Sequence, residues 1–145
     1  MQEIRTHVEI AASPERVWNV LMDFAAFPTW NPFIRSISGE ARSGGKLEVH
    51  IQPPGRGVSV FRPTVQVTEP NRELRWLGHL LVSGLFDGEH QWRLEPLDAG
   101  HTRFLHSERF KGILVPLFGK ELLTDSARGF EEMNCALKER VERDA

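Results

Sequence analysis

Cysteine is nearly absent. Cys135 is the single one in 145 residues, so an internal disulfide framework is excluded. It has no partner in a CxxC or nucleophile motif. It is expected on or beside the packed face of a helix, as a small hydrophobe. No apolar run is long enough to span a bilayer. The amino end, MQEIRTHVEI, lacks the apolar core of a secretory signal, which makes a cytoplasmic location the default expectation. A formal net charge of -2 gives no general attraction to nucleic acid or to an anionic membrane. Arg5, Arg16, Arg35, Arg42 and Arg56 are scattered, and no zinc-finger, helix-turn-helix or RNP pattern is present. RSGGK and QPPGRG lack the spacing of a phosphate-binding loop, and there is no G-x-S-x-G elbow. Six histidines occur without HExxH or a compact Cys/His pattern, so neither a metal nor a cofactor is expected. No repeat, linker or low-complexity tail divides the chain. Its length suits one domain, residues 1–145, with a sizeable core.

Ile4, Val8 and Ile10 share one parity, which predicts a strand over 2–11. In AASPERVWNVLMD, Ser13 is placed to cap a helix and Pro14 fits its first position. Val17, Trp18, Leu21 and Met22 then recur at helical spacing. Pro28 and Pro32 stop a long helix in FAAFPTWNPF, which reads as a second short helix and a turn. Residues 34–40 and 46–51 form a hairpin around Gly44 and Gly45, and 52–57 form a loop. A longer strand is expected over 58–68, with an edge or bulge at Pro63. Further strands are expected over 73–80, 86–95 and 102–110. The period then changes. Residues 113–142 are mostly helical, with Leu123, Ala127, Phe130, Leu137 and Val141 on one stripe. Short turns between sequential strands imply an antiparallel sheet, and the long terminal helix is the element large enough to cover it. A curved sheet and a helix of fixed width need not match along their whole length, so a gap between them is the route to a ligand cavity.

Three pieces carry a family likeness: VEIAASPERVWNVLMDFAAFPTWNPFI (8–34), FDGEHQWRLEPLDAGHTRFLHSERFKG (86–112) and DSARGFEEMNCALKERVE (125–142). The pattern resembles the START-like, or Bet v 1-like, helix-grip superfamily, and more narrowly the bacterial SRPBCC proteins of the polyketide cyclase/dehydrase type. The resemblance implies an α+β fold. A curved antiparallel sheet of about six or seven strands would grip a long C-terminal helix, with two short helices after the first strand. It also implies a largely apolar cavity between sheet and helix. Members of the superfamily bind lipids, sterols, polyketides or plant hormones. Some are cyclases or aromatases, and some assist protein partners. No catalytic constellation is shared by all of them, so no catalytic role carries over.

The candidate site residues come from the strand parities. Thr102, Phe104, His106, Glu108 and Phe110 share one face, as do Phe86, His90, Trp92 and Leu94. Antiparallel pairing about the 98–101 turn brings His90 near residue 108 or 109. His106 and Glu108 are the candidate catalytic acid–base groups, because histidine titrates near neutrality and a carboxylate tunes it. A hydrogen-bonded structural pair fits the same residues. Trp30, Trp76, Trp92, Phe104, Phe110, Phe118 and Phe130 are candidate walls, with His90, His106, Glu108 and Asn134 as polar handles. Asn134 alternatively bonds to the sheet or faces the helix edge. The irregular segment Leu114–Phe118 is a candidate cavity entrance.

Three functions follow. The first is binding of a small hydrophobic molecule, whether lipid, polyketide or aromatic metabolite. The second is a polyketide cyclase/dehydrase-like enzyme using a cavity His/Glu pair. The third is a protein-interaction or chaperone-assisting domain. The expected partner is a small hydrophobic ligand, without nucleic acid or integral membrane association, and the chain is expected as a monomer or homodimer.

Overall fold

The computed structural model describes residues 2–79, 84–117 and 120–143. The first strand, β1 (Gln2–Ile10), buries Ile4 and Ile10. Ser13 Oγ accepts the Arg16 backbone N–H at 3.3 Å and starts α1 (Pro14–Met22), with Pro14 in its first turn. Val17, Trp18 and Leu21 form its buried face. A 3-10 turn over Phe24–Ala26 leads into α2 (Phe27–Trp30). Asn31 then turns the chain. Its buried side-chain oxygen accepts the backbone N–H groups of Phe33 (2.9 Å) and Ile34 (2.8 Å). That turn sends Phe33 into the interior.

The strands that follow are β2 (Ile34–Gly39), β3 (Leu47–Ile51), β4 (Ser59–Phe61), β5 (Thr64–Glu69), β6 (Glu73–His79), β7 (Asp87–Asp98) and β8 (His101–Lys111). The chain closes with a 3-10 turn over Val115–Leu117 and the long α3 (Lys120–Arg143). All strand pairs are antiparallel, in the orders β1-β8-β7-β6-β5 and β2-β3-β4. Backbone bonds join the two groups, from Gly44 N to the Val65 carbonyl (2.9 Å) and from Val65 N to the Gly45 carbonyl (2.8 Å). This is the α+β helix-grip fold, a curved antiparallel sheet around a long C-terminal helix with short helices after β1.

Two expectations need correction. The strand expected over 58–68 is two strands, because the chain breaks between β4 and β5 at Arg62 and Pro63. Pro63 has no N–H to continue a ladder. The break raises the count to eight strands among the described residues and lets β4 pair with β3 while β5 pairs with β6. Cys135 is exposed, not on a packed face. It lies two residues from buried Met133 and two from buried Leu137, hence about 200° round the helix from each. Residue 80 of the expected 73–80 strand, and 118–119 of the expected helix, lie outside the described residues.

From Phe130 onward α3 is pinned. Phe130, Met133, Leu137 and Val141 are buried against the sheet and α1. Arg16 Nη2 donates to the Val141 carbonyl at 2.7 Å, Lys138 Nζ to the Glu9 carbonyl at 2.8 Å, and Ala11 N to Glu142 Oε2 at 2.8 Å. Leu123 and Ala127, before that point, are only partly buried.

Candidate functional site

A cavity of about 500 Å³ lies where the earlier part of α3 leaves space. Its walls are mostly strands. Val49, Ile51 and Phe61 come from the β2-β3-β4 group. Trp76, Gly88, His90, Glu108 and Phe110 come from β6, β7 and β8. Phe33 and Phe86 add aromatic surface, while α3 contributes Ser126. The loop between β3 and β4 supplies Pro53, Arg56 and Gly57 at the rim. Arg56 Nε donates to Asp125 Oδ2 on α3 at 2.7 Å, tying loop to helix beside the opening.

One polar structure interrupts these apolar walls. The β7–β8 register sets His90 opposite Glu108 and Trp92 opposite His106. His90 Nδ1 lies 3.3 Å from Glu108 Oε1, and His90 Nε2 lies 2.7 Å from His106 Nε2. His106 Nδ1 lies 2.9 Å from Asn134 Oδ1. Asn134 Nδ2 donates to Thr6 Oγ1 (2.9 Å), and the Thr6 hydroxyl donates to the His106 carbonyl (2.8 Å). Polar groups from β1, β7, β8 and α3 therefore form one chain that ends at the cavity. His90 has 1% of its side chain accessible and Glu108 19%, so the carboxylate covers the histidine.

Aromatic rings clamp both imidazoles. Trp76 stacks on His90 at 4.6 Å and 7°, and Phe130 stacks on His106 at 4.0 Å and 5°. Burial holds the His106 ring well below the usual histidine range. Proximity to His90 pushes the same way, and the hydrogen bond to Asn134 opposes both.

The sequence-derived candidates fall into four groups. Trp76, His90, Glu108 and Phe110 line the cavity. Trp92, Phe104, His106, Phe130 and Asn134 are buried but do not line it; they pack behind the wall. Trp30 borders a separate, smaller cavity of about 230 Å³ beside Asn19 and Arg140. Phe118 lies outside the described residues. Of the two candidate catalytic groups, Glu108 reaches the cavity and His106 acts on it only through His90. Sequence reasoning missed the walls from Val49, Ile51 and Phe61. The alternation of β3 was the available signal, but nothing local shows which sheet it will face. Gly88 on β7 stands opposite Phe110 of β8. A Cβ there would lie 2.5 Å from Glu108 Oε2, so glycine leaves the room the carboxylate occupies.

The chain matches, over residues 1–142, the family described as polyketide cyclase / dehydrase and lipid transport. It belongs to that family.

Within the SRPBCC/START-like superfamily, solved structures place the fold. A START superfamily protein from Mycobacterium smegmatis is 23% identical, with 99% of each chain covered and a TM-score of 0.78. The Zhui aromatase/cyclase from Streptomyces sp. R1128 is 18% identical, covering 98% of this chain and 94% of that one, with a TM-score of 0.76. No curated protein matches the sequence significantly. The family fold thus presents here a cavity capable of binding a small hydrophobic molecule, with a His90–Glu108 pair at its wall. Among the described residues, no group of three or more His, Cys, Asp or Glu side chains could hold a metal ion. No described helix is long and apolar enough to cross a membrane.

Proposed function

We propose that the protein binds a small hydrophobic molecule, a lipid, polyketide or aromatic metabolite, in the cavity between the two strand groups and α3. The observation that carries this is the pairing of about 500 Å³ of space with aromatic and aliphatic walls and one polar end. Apolar contact supplies most of the binding energy, at about 25 cal/mol per Å² removed from water. Glu108, backed by His90, orients the ligand's polar part. The test is native mass spectrometry of protein purified from its source, followed by solvent extraction. A retained apolar molecule, displaced when Trp76 or Phe110 is changed to a charged residue, is expected. Protein that arrives empty and takes up no apolar probe sinks the proposal.

A second reading is a cyclase/dehydrase-like enzyme. Its support is the His90–Glu108 contact at the wall, together with the fold shared with an aromatase/cyclase. The cavity would hold a flexible carbonyl compound folded for reaction, and Glu108 would move the proton. Glu108→Gln would then lower turnover of a candidate substrate far more than its binding. Turnover unchanged in Glu108→Gln and in His106→Gln removes the acid–base assignment. A docking domain for protein partners draws less support, because the interior holds space instead of being packed solid.

A further inference from the structure

The hydrogen-bond chain behind the cavity has a direction, and it decides what Glu108 offers. Thr6 has one hydroxyl proton, directed at the His106 carbonyl. Its oxygen therefore accepts from Asn134 Nδ2, and the Asn134 amide turns Oδ1 toward His106. His106 Nδ1 must carry a proton to meet that oxygen. Two imidazole nitrogens facing each other, as His90 Nε2 and His106 Nε2 do, need one proton between them. His90 Nδ1 and Glu108 Oε1 likewise need one. Three contacts thus hold three protons. Two neutral imidazoles supply two, and the third neutralises the carboxylate charge. Moving these protons along the chain places them on a histidine or on Oε1. Oε2 keeps its lone pairs in every arrangement.

Among the described residues, Oε2 has no hydrogen-bond partner in the protein, and Glu108 and Gly88, the residue beside Oε2, both line the cavity. Each basic side chain along the same cavity already meets a carboxylate. Arg56 is held by Asp125, His79 by Asp87 at 2.8 Å, and His90 lies behind Glu108. At Oε2 itself a ligand carboxylate would meet an acceptor and not a donor. We propose that Glu108 Oε2 is an acceptor for a neutral ligand carrying a hydroxyl or N–H donor, of the phenol or enol kind, and that ligands ending in a carboxylate are rejected. This deepens the container function and rests on it.

The probes are naphthalene, 1-naphthol and 1-naphthoate, three molecules with one apolar body and different polar ends. Binding is read by calorimetry on the full chain. The wild type is expected to bind 1-naphthol about tenfold tighter than naphthalene, as one added hydrogen bond allows, and naphthoate weaker than both. Glu108→Ala brings the naphthol-to-naphthalene ratio to about one. Gly88→Ala does the same with the carboxylate still present, because the new methyl group displaces it. Circular dichroism confirms that both variants are folded. If naphthalene binds the wild type but naphthol gains nothing, the acceptor assignment is overturned while the container function stands. A ratio unchanged in Glu108→Ala, or naphthoate binding as tightly as naphthol, also overturns it. If none of the three binds, the container function falls and takes this assignment with it.

Discussion

The ring of Phe33 lies against the backbone of Gly129. A Cβ at residue 129 would sit 2.3 Å from Phe33 Cδ1, closer than two carbons approach. Glycine inside a helix costs about 1 kcal/mol relative to alanine, so helix propensity alone favours Gly129→Ala. The contact decides otherwise. Phe33 also lines the cavity, so a methyl group at 129 pushes the ring into that space. Gly129→Ala is expected to lose about 1–3 kcal/mol, the usual cost of overpacking, and to weaken binding of bulky apolar probes. Denaturant unfolding and a probe series graded by size check both. Gly129→Ala more stable than wild type contradicts the contact.

Asn134 joins the last helix to both β1 and β8. In Asn134→Leu, the His106 Nδ1 proton faces a hydrocarbon. A buried donor left without its partner costs about 1–3 kcal/mol. Thr6→Val leaves the Asn134 amide unpaired at the other end, and the double variant should cost less than the sum of the two. A double-mutant cycle measures that coupling. Strict additivity would mean that the two bonds do not act as one chain.

Acid should destabilise the protein through His106. Its folded-state pKa lies below the unfolded value of 6.5. Below that pH the unfolded chain takes up a proton that the folded chain refuses. The unfolded state then binds more protons, so stability falls as pH falls. The slope between pH 6.5 and 5 is expected to reach at most about 1.4 kcal/mol per pH unit for this one group. His106→Gln should flatten it. Urea midpoints across that range decide the matter, and identical slopes would exclude His106 as their source.

The Arg56–Asp125 pair bridges the 52–57 loop and α3 at the cavity rim. As a partly exposed ion pair it is worth about 0–1 kcal/mol to stability. Its larger effect should be kinetic. Asp125→Asn is expected to speed release of 1-naphthol roughly threefold to tenfold, with the midpoint of unfolding nearly unchanged. Stopped-flow fluorescence of Trp76 at the cavity wall gives the rate. Release as slow as in the wild type would mean that the loop does not restrain the opening.

Much of the fold was legible in local chemistry. Ser13 and Pro14 mark a helix start by their own bonding preferences, and the Ser13 Oγ bond to Arg16 N forms as they require. Strand parity placed Phe104, His106 and Phe110 on the buried face. Counting back from the 98–101 turn put His90 near residue 108 or 109, and the register sets it opposite Glu108. Pro63 was legible as an interruption but not as the place where the sheet divides. That depended on which partner each half would find.

The cavity itself was less legible. Parity tells which side of a strand is buried, but not whether a buried side chain meets other side chains or empty space. Phe104 and Phe110 share a parity on one strand, yet Phe104 packs behind the wall and Phe110 lines it. The difference arises from where α3 presses on the sheet, which is a long-range contact.

The residues alone determined the order of strands and helices apart from the division at Pro63, the inward faces, and the pairing of two strands across one short turn, because each follows from bonds and periods within a few residues. The folded chain decided where α3 leaves the sheet, that His106 reaches Asn134 across 28 positions, and that Glu108 keeps one oxygen for the cavity. These relations join elements far apart in sequence, and their geometry is set by how a curved sheet and a straight helix fail to fill the same space.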